Sequence, residues 1–324
     1  MLTFHDYLQK VNDAIQAIDY PENPRNLYDP IAYTMNLGGK RIRPVLVLMA
    51  CDAIGGDVDK ALTPAVGLEM FHNFTLLHDD VMDKADIRRG MPTVHMKWND
   101  NAAILSGDAM LTMATSLIAQ APSDVMPKIM ALYNKTAMEI YEGQQYDVDF
   151  ESRNDVSVDE YINMIRLKTS VLLGCACKMG ALMGGASDNT ANLFYTMGEN
   201  LGLAFQLQDD MLDVWGNEAT FGKAIGGDIM NNKKTFLLIN AMRQATGDQR
   251  IELNLWLNTK NASKNAKVPA VTAIYDALGL RKQSLDAIEQ YNQRALDALN
   301  QIAISDGNKQ EFREFIKRLV KREK

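Results

Sequence analysis

The chain has 324 residues, with 34 Lys and Arg against 41 Asp and Glu and a net charge of −7. That balance excludes the basic stripe a nucleic-acid binder needs. With 47% hydrophobic residues, 23% charged and nine prolines, the composition is that of a packed globular protein.

Met1 to Tyr20 lacks the basic head, apolar core and small-residue cleavage site of a secretory leader. No apolar run reaches the roughly 18 residues of a membrane span, so no integral membrane segment is expected. Beyond the breaks at Pro21–Pro30 and Gly38-Gly39, helical periodicity dominates. Residues 61–82 place Leu62, Val66, Met70, Phe74 and Leu77 at steps of three or four. Further breaks fall at Arg88–Pro92, Ala121-Pro122, Glu151–Val156 and Gly184–Asp188. Residues 191–214 carry the helical pattern again, through Leu193, Met197, Leu201, Phe205 and Leu212. After a break at Gly216–Asn232 the pattern resumes, and Leu278 to Arg322 reads as helix interrupted near Ser305-Asp306-Gly307. No alternating strand pattern, composition shift or repeat appears, so residues 1–324 are expected to form one all-α domain. Cys51, Cys175 and Cys177 are too few for a disulfide framework and read as buried free thiols of a cytoplasmic protein.

Two helices end in acids. In Leu76-Leu77-His78-Asp79-Asp80-Val81-Met82-Asp83, Asp79 and Asp83 share one helical face. Phe205-Gln206-Leu207-Gln208-Asp209-Asp210-Met211-Leu212-Asp213 repeats the pattern with Asp209 and Asp213. Asp is a poor helix former, like charges repel at this spacing, and acids oppose the macrodipole at a helix C-terminus. A bound cation removes all three costs, and hard carboxylate oxygens suit Mg²⁺ that also holds phosphate oxygens. Cations stand near both acid clusters in sequence. Lys40 and Arg43 are expected on one face of a helix opened by Gly38-Gly39, Arg88 and Arg89 follow the first cluster, and Lys168, Lys223 and Lys233 accompany the second. Such a set points to anionic phosphate ligands, with His72 close to it.

From about Gly38 to Lys233 the chain resembles the trans-prenyltransferases of the polyprenyl synthetase family. The segments that carry the resemblance are GGKRIRP, HNFTLLHDDVMD, RRG, GDAML, KTS, FQLQDDMLD and FGK, in family order. The resemblance implies a large single-domain helical bundle of the isoprenoid synthase type, with both acid clusters facing a central cavity, and a homodimer. It implies Mg²⁺, three per active site with Mn²⁺ as a substitute, held by Asp79, Asp83 and Asp209 with Asp80 and Asp213 supporting. Arg88, Lys168, Thr169, Gln206 and Lys223 resemble the contacts to an allylic diphosphate. Lys40, Arg43, His72 and Arg89 resemble an isopentenyl diphosphate site, and Lys233 a lysine that closes it. One departure is the run Lys234-Thr235-Phe236-Leu237-Leu238, where many relatives carry a proline.

The implied reaction is head-to-tail prenyl elongation. Alternatives are a terpene cyclase, for which Lys40, Arg43 and Arg89 would be idle, and a non-catalytic subunit, which would be expected to have lost acids from one cluster. Counting back along the first helix at ~1.5 Å per residue, Phe74 lies roughly 7 Å and Phe71 roughly 12 Å from Asp79. With Thr75, these rings are candidates for a floor beneath the growing tail. An aromatic residue five positions before the motif resembles short-chain members, so the expected product is 20-carbon geranylgeranyl diphosphate, with 15- and 25-carbon products as neighbours.

Overall fold

Thr3 caps the first helix by accepting the Asp6 N–H, while Asp6 takes the Thr3 N–H in return. Ser157 and Glu160 repeat this capping box, and Asp57, Asn99 and Thr235 each accept one orphan N–H at later starts. The structure is a computed structural model and describes residues 1–217 and 225–320.

The first helices are α1 (Phe4–Gln16), α2 (Arg25–Asn36), α3 (Ile42–Ile54) and α4 (Val58–Met82). A hairpin of β1 (Ile87–Arg88) and β2 (Met91–Pro92) follows, then α5 (Val94–Lys97), α6 (Asp100–Ile118) and α7 (Met126–Ser152). Next come α8 (Val158–Ile165), a π-helical turn (Arg166–Ser170), α9 (Val171–Met183) and α10 (Asp188–Trp215). The chain ends with α11 (Gly227–Met230), α12 (Phe236–Gln244), α13 (Gly247–Asn258), α14 (Lys264–Ala277), α15 (Leu280–Gln301) and α16 (Asp306–Val320). The all-α expectation holds, with one addition. Arg88–Pro92, read from sequence as a break, forms a two-residue antiparallel hairpin. Among the described residues no helix is long and apolar enough to cross a membrane.

The chain divides into two compact units. The first holds residues 1–134, 175–195 and 302–308. Its centre is α4, which packs mainly on α6 and α3. Leu68, Met70 and Phe71 are fully buried, each contributing about 2 kcal/mol over an exposed side chain. Arg41 and Glu69, both inside this core, form an ion pair at 2.9 Å, and Arg41 also donates to the Met35 carbonyl. Cys51, Cys175 and Cys177 are buried free thiols, as expected.

The second unit holds, of the described residues, 135–174, 196–217, 225–301 and 309–320. One of its apolar clusters joins Tyr161, Met164, Leu203, Leu207 and Ile239, and a second gathers Leu237, Leu253, Ile274 and Tyr275. The first cluster sits under the acid-rich end of α10.

Candidate active site

In the first unit, α4 is buried through most of its length, from Ala61 to Leu77, and delivers Asp79 and Asp80 at its end. Asp83 is the C-cap. Lys84 takes a left-handed backbone (φ 52°), its N–H bonding to Val81 O and the Ala85 N–H to Asp80 O. These two bonds are a Schellman stop. The hairpin turns at Arg89 (φ 54°) and Gly90 (φ 77°), the two positive angles of a type I′ turn. Thr93 donates to Ala85 O at 2.7 Å and Tyr33 to Pro92 O at 2.7 Å, fixing the hairpin from both sides.

That reversal folds Arg88 back onto α4. Its Nε lies 2.8 Å from both Asp80 oxygens and one terminal nitrogen 2.7 Å from Oδ1, with Asp79 at 3.9 Å. Asp80 is thus clasped by a guanidinium, while Asp79 is half-buried and Asp83 exposed. Burial raises the Asp80 carboxyl above its ordinary range, although Arg88 opposes the shift.

Beside this pair stands a group of cations. Arg89 donates to Gly38 O, and to Asn73 Oδ1 at 3.3 Å. The Arg43 Nε is buried without a partner. Burial pushes the Arg43 guanidinium down to about 10, with Glu69 opposing and Arg89 adding to the shift. Burial also holds His72 well below its ordinary range, followed by the charges of Arg43, Arg89, Arg88 and Arg41. Cations that depress one another in this way favour an anion. Three of the four residues assigned to isopentenyl diphosphate, Arg43, His72 and Arg89, are therefore brought together. Lys40 is placed otherwise than expected. Gly38 (φ 79°), Gly39 (φ 136°) and Arg41 (φ 48°) keep this segment out of the helix. Helix α3 starts at Ile42, so Lys40 is exposed on the preceding turn rather than on a shared helical face.

The second unit builds its acids into a different network. The backbone of α7 passes the π-helical turn closely enough that a Cβ on Gly143 would lie 2.3 Å from Lys168 N. Lys168 donates to Asp147 Oδ2 at 2.6 Å, and Lys233 reaches the same oxygen at 3.6 Å. Burial alone would raise the Asp147 carboxyl, but Lys233 and Lys168 hold it below its ordinary range. Thr169 donates to Gln206 Oε1 at 3.2 Å, and Gln206 Nε2 to Asp210 Oδ1 at 3.1 Å. The Tyr161 hydroxyl donates to the other Asp210 oxygen. Burial pushes Asp210 up to about 8, helped by Asp228 and opposed by Tyr161 and Gln206. Asp213 accepts the backbone N–H groups of Gly227 (3.2 Å) and Asp228 (3.0 Å). The departure after Lys233 falls at a helix start, where Thr235 caps α12. Lys223 lies outside the described residues.

Asp147, Tyr161 and Asp210 were not assigned from sequence. Gly143 and Asp147 at i, i+4 in mid-helix were a usable signal; Tyr161 offered none, because its partner is 49 positions away. Among the described residues, no three His, Cys, Asp or Glu side chains stand close enough to enclose a metal. Mg²⁺ does not require that, since it takes one or two carboxylates and completes its shell with phosphate oxygens and water. Asp80 accepts the Arg88 guanidinium and Asp213 two backbone N–H groups. Of the floor candidates, Phe74 keeps 6% exposure and Phe71 none. The Thr75 hydroxyl donates to His72 O at 2.8 Å.

A solved geranylgeranyl pyrophosphate synthase, 43% identical, superimposes with a TM-score of 0.95 over 100% of both chains. The fold is therefore that of an all-α isoprenoid synthase. Residues 24–302 match the polyprenyl synthetase family, and the chain belongs to that family and is a prenyltransferase. A geranylgeranyl diphosphate synthase of Methanosarcina mazei is 42% identical over 236 residues, 72% of this chain and 73% of its own. One from Sulfolobus acidocaldarius is 36% identical over 308 residues, 93% of this chain and 91% of its own. Enzymes of this family generally depend on Mg²⁺.

Proposed function

We propose that the protein condenses isopentenyl diphosphate head-to-tail (1′-4) with allylic prenyl diphosphates, releasing diphosphate, with 20-carbon geranylgeranyl diphosphate as its main product. The observation that carries this reading is the pair of arginines Arg43 and Arg89 beside an uncharged His72, with a buried unpartnered Nε on Arg43, in addition to the Arg88 that clasps Asp80. A cyclase has one diphosphate to bind and gives this second group nothing to hold. The names of the relatives support the same reaction, and Phe74 five positions before Asp79 supports a short product.

Asp79, Asp83 and Asp209 would hold Mg²⁺, three ions per site with Asp80 and Asp213 in support, and Mn²⁺ as a substitute. When bound, the cation acts as a Lewis acid on the diphosphate and neutralises its charge. Arg88, Lys168, Thr169 and Gln206 orient the allylic diphosphate, and Lys223 is assigned to the same task. Lys40, Arg43, His72 and Arg89 position isopentenyl diphosphate, and Lys233 closes over it. The allylic C–O bond breaks with its electron pair on the departing diphosphate, which then accepts the proton lost after the new C–C bond forms. No protein nucleophile is needed. The side chains contribute positioning and preorganised positive charge, and the buried Phe71–Phe74 stretch of α4 keeps water from the allylic cation. A cytoplasmic homodimer completes the reading, supported by exposed Ile104 and Leu105 on α6.

One preparation tests the set. Sedimentation gives the oligomer, and radiolabelled isopentenyl diphosphate with farnesyl diphosphate gives the product in Mg²⁺, in Mn²⁺ and in chelator. The expected main product is 20-carbon, made by a dimer and lost in chelator. A main product of 30 carbons or more would refute the short-chain assignment.

A further inference from the structure

An unbroken series of rings runs back from the first acid cluster into the core of the first unit. His78 stacks edge-on to Phe74 with centroids 4.8 Å apart, and Phe74 meets Phe71 at 5.7 Å. Phe71 then meets Tyr133 of α7 at 5.2 Å, with their planes at 84°. Tyr133 is 2% exposed and its hydroxyl lies 3.1 Å from Thr115 Oγ1 on α6. The Thr115 hydroxyl donates to Leu111 O at 2.9 Å. Its one proton being spent there, Thr115 is the acceptor and Tyr133 the donor in this pair. A directed hydrogen bond fixes the Tyr133 ring at its far end, and the ring presents a rigid edge-to-face partner to Phe71.

Burial sets the order of these rings. Phe74 retains slight exposure and Phe71 has none, so Phe74 is the outer ring and Phe71 stands behind it. A stop for a growing prenyl tail works only if it does not yield. Phe71 has two rotatable side-chain bonds, and the ring beyond it opposes its swinging away. Truncating Phe74 would pass the stop to Phe71, and there the anchoring of Tyr133 decides how far the tail advances.

We propose that Tyr133 is a positioning residue for product length, acting through Phe71 and held by its hydrogen bond to Thr115. The proposal rests on the reading of Phe74 and Phe71 as the floor of a short-chain synthase. Tyr133 touches neither diphosphate nor reacting carbon in this account, and its effect falls on the product ratio rather than on the rate.

The test uses the full-length enzyme with farnesyl diphosphate and radiolabelled isopentenyl diphosphate at low conversion, with chain length read by chromatography after dephosphorylation. Phe74→Ala tests the floor itself and is expected to lengthen the product. In that background, Tyr133→Leu raises the ratio of 25-carbon and longer products to 20-carbon product about tenfold, the scale of a small change in an apolar pocket. Tyr133→Phe and Thr115→Val keep volume while removing the bond. Each shifts the ratio by a smaller factor in the same direction, and together they shift it no further than either alone. These near-isosteric variants keep the test open if Tyr133→Leu fails to fold, as judged by thermal melts. If Phe74→Ala lengthens the product and no Tyr133 or Thr115 variant moves it further, the proposal falls while the floor stands. If neither Phe74→Ala nor any Tyr133 variant alters chain length, floor and proposal fall together. Lengthening by Tyr133→Leu but not by Phe74→Ala would keep Tyr133 as a length determinant and remove Phe74 from the floor.

Discussion

The two Asp-Asp-x-x-Asp segments are alike in sequence and are wired in opposite ways. In the first, the middle acid, Asp80, is clasped by a guanidinium folded back from the next hairpin. In the second, Asp210 receives two neutral donors, the Tyr161 hydroxyl and the Gln206 amide, and is pushed up to about 8 by burial and by Asp228. The third acids differ as well. Asp83 caps its helix and faces solvent, whereas Asp213 lies within α10 and accepts two backbone N–H groups from the start of α11. The surrounding basic residues follow suit. Arg43, Arg89 and His72 crowd together near the first segment, while Lys168 and Lys233 share the carboxylate of Asp147 near the second. A repeated Asp-Asp-x-x-Asp pattern therefore fixes where the acids stand along each helix, and the local fold decides which donors and how much compensating charge surround them.

The largest effect should come from breaking the ionic clasp. Asp80 is 5% exposed, and removing its partner leaves a buried carboxylate uncompensated. Arg88→Ala is expected to cost about 3 kcal/mol, measured from urea unfolding midpoints. Adding Asp80→Asn should restore most of that stability without restoring activity. A loss below about 1 kcal/mol in the single variant would show that the clasp is no stronger than a surface pair. The neutral wiring of the second segment should be less costly to break. Tyr161→Phe removes one donor from Asp210 and is expected to cost about 2 kcal/mol by the same measurement. A larger loss than for Arg88→Ala would reverse the ranking of the two segments.

How much of this contrast could be read from the sequence follows from the range of each interaction. The apolar runs that become α4 and α10 were legible because helical periodicity is local, and so was the position of the acids at their ends. The carboxylate pairs Asp79/Asp83 and Asp209/Asp213 follow from a four-residue spacing. Tyr161 was not legible, since nothing near it in sequence marks a partner 49 positions on. Lys40 was misplaced on a helical face because helix-forming Lys and Arg side chains conceal the left-handed backbone at Arg41. The hairpin at Arg88–Pro92 was read as a break because two-residue strands are too short to alternate. The Tyr133–Phe71 contact joins residues of two helices whose individual patterns say only that both are buried.

The smallest effect separates the cation-rich surroundings of the first segment from those of the second. Burial, with Arg43, Arg89, Arg88 and Arg41, holds His72 well below the ordinary 6.5. As pH falls through 6.5 the unfolded chain takes up a proton there that the folded chain refuses. The unfolded state then binds more protons, so stability rises with pH below 6.5 and levels off above it. Between pH 7 and about pH 5.5, the wild-type protein should lose roughly 1 kcal/mol more than His72→Gln loses, one pKa unit being worth about that much. Urea midpoints across that range for both proteins measure the difference in slope. Parallel slopes would mean that His72 titrates alike in both states, and that the surrounding arginines do not reach it with an uncompensated field. A steeper wild-type slope would leave the first segment as the one whose surroundings await an anion.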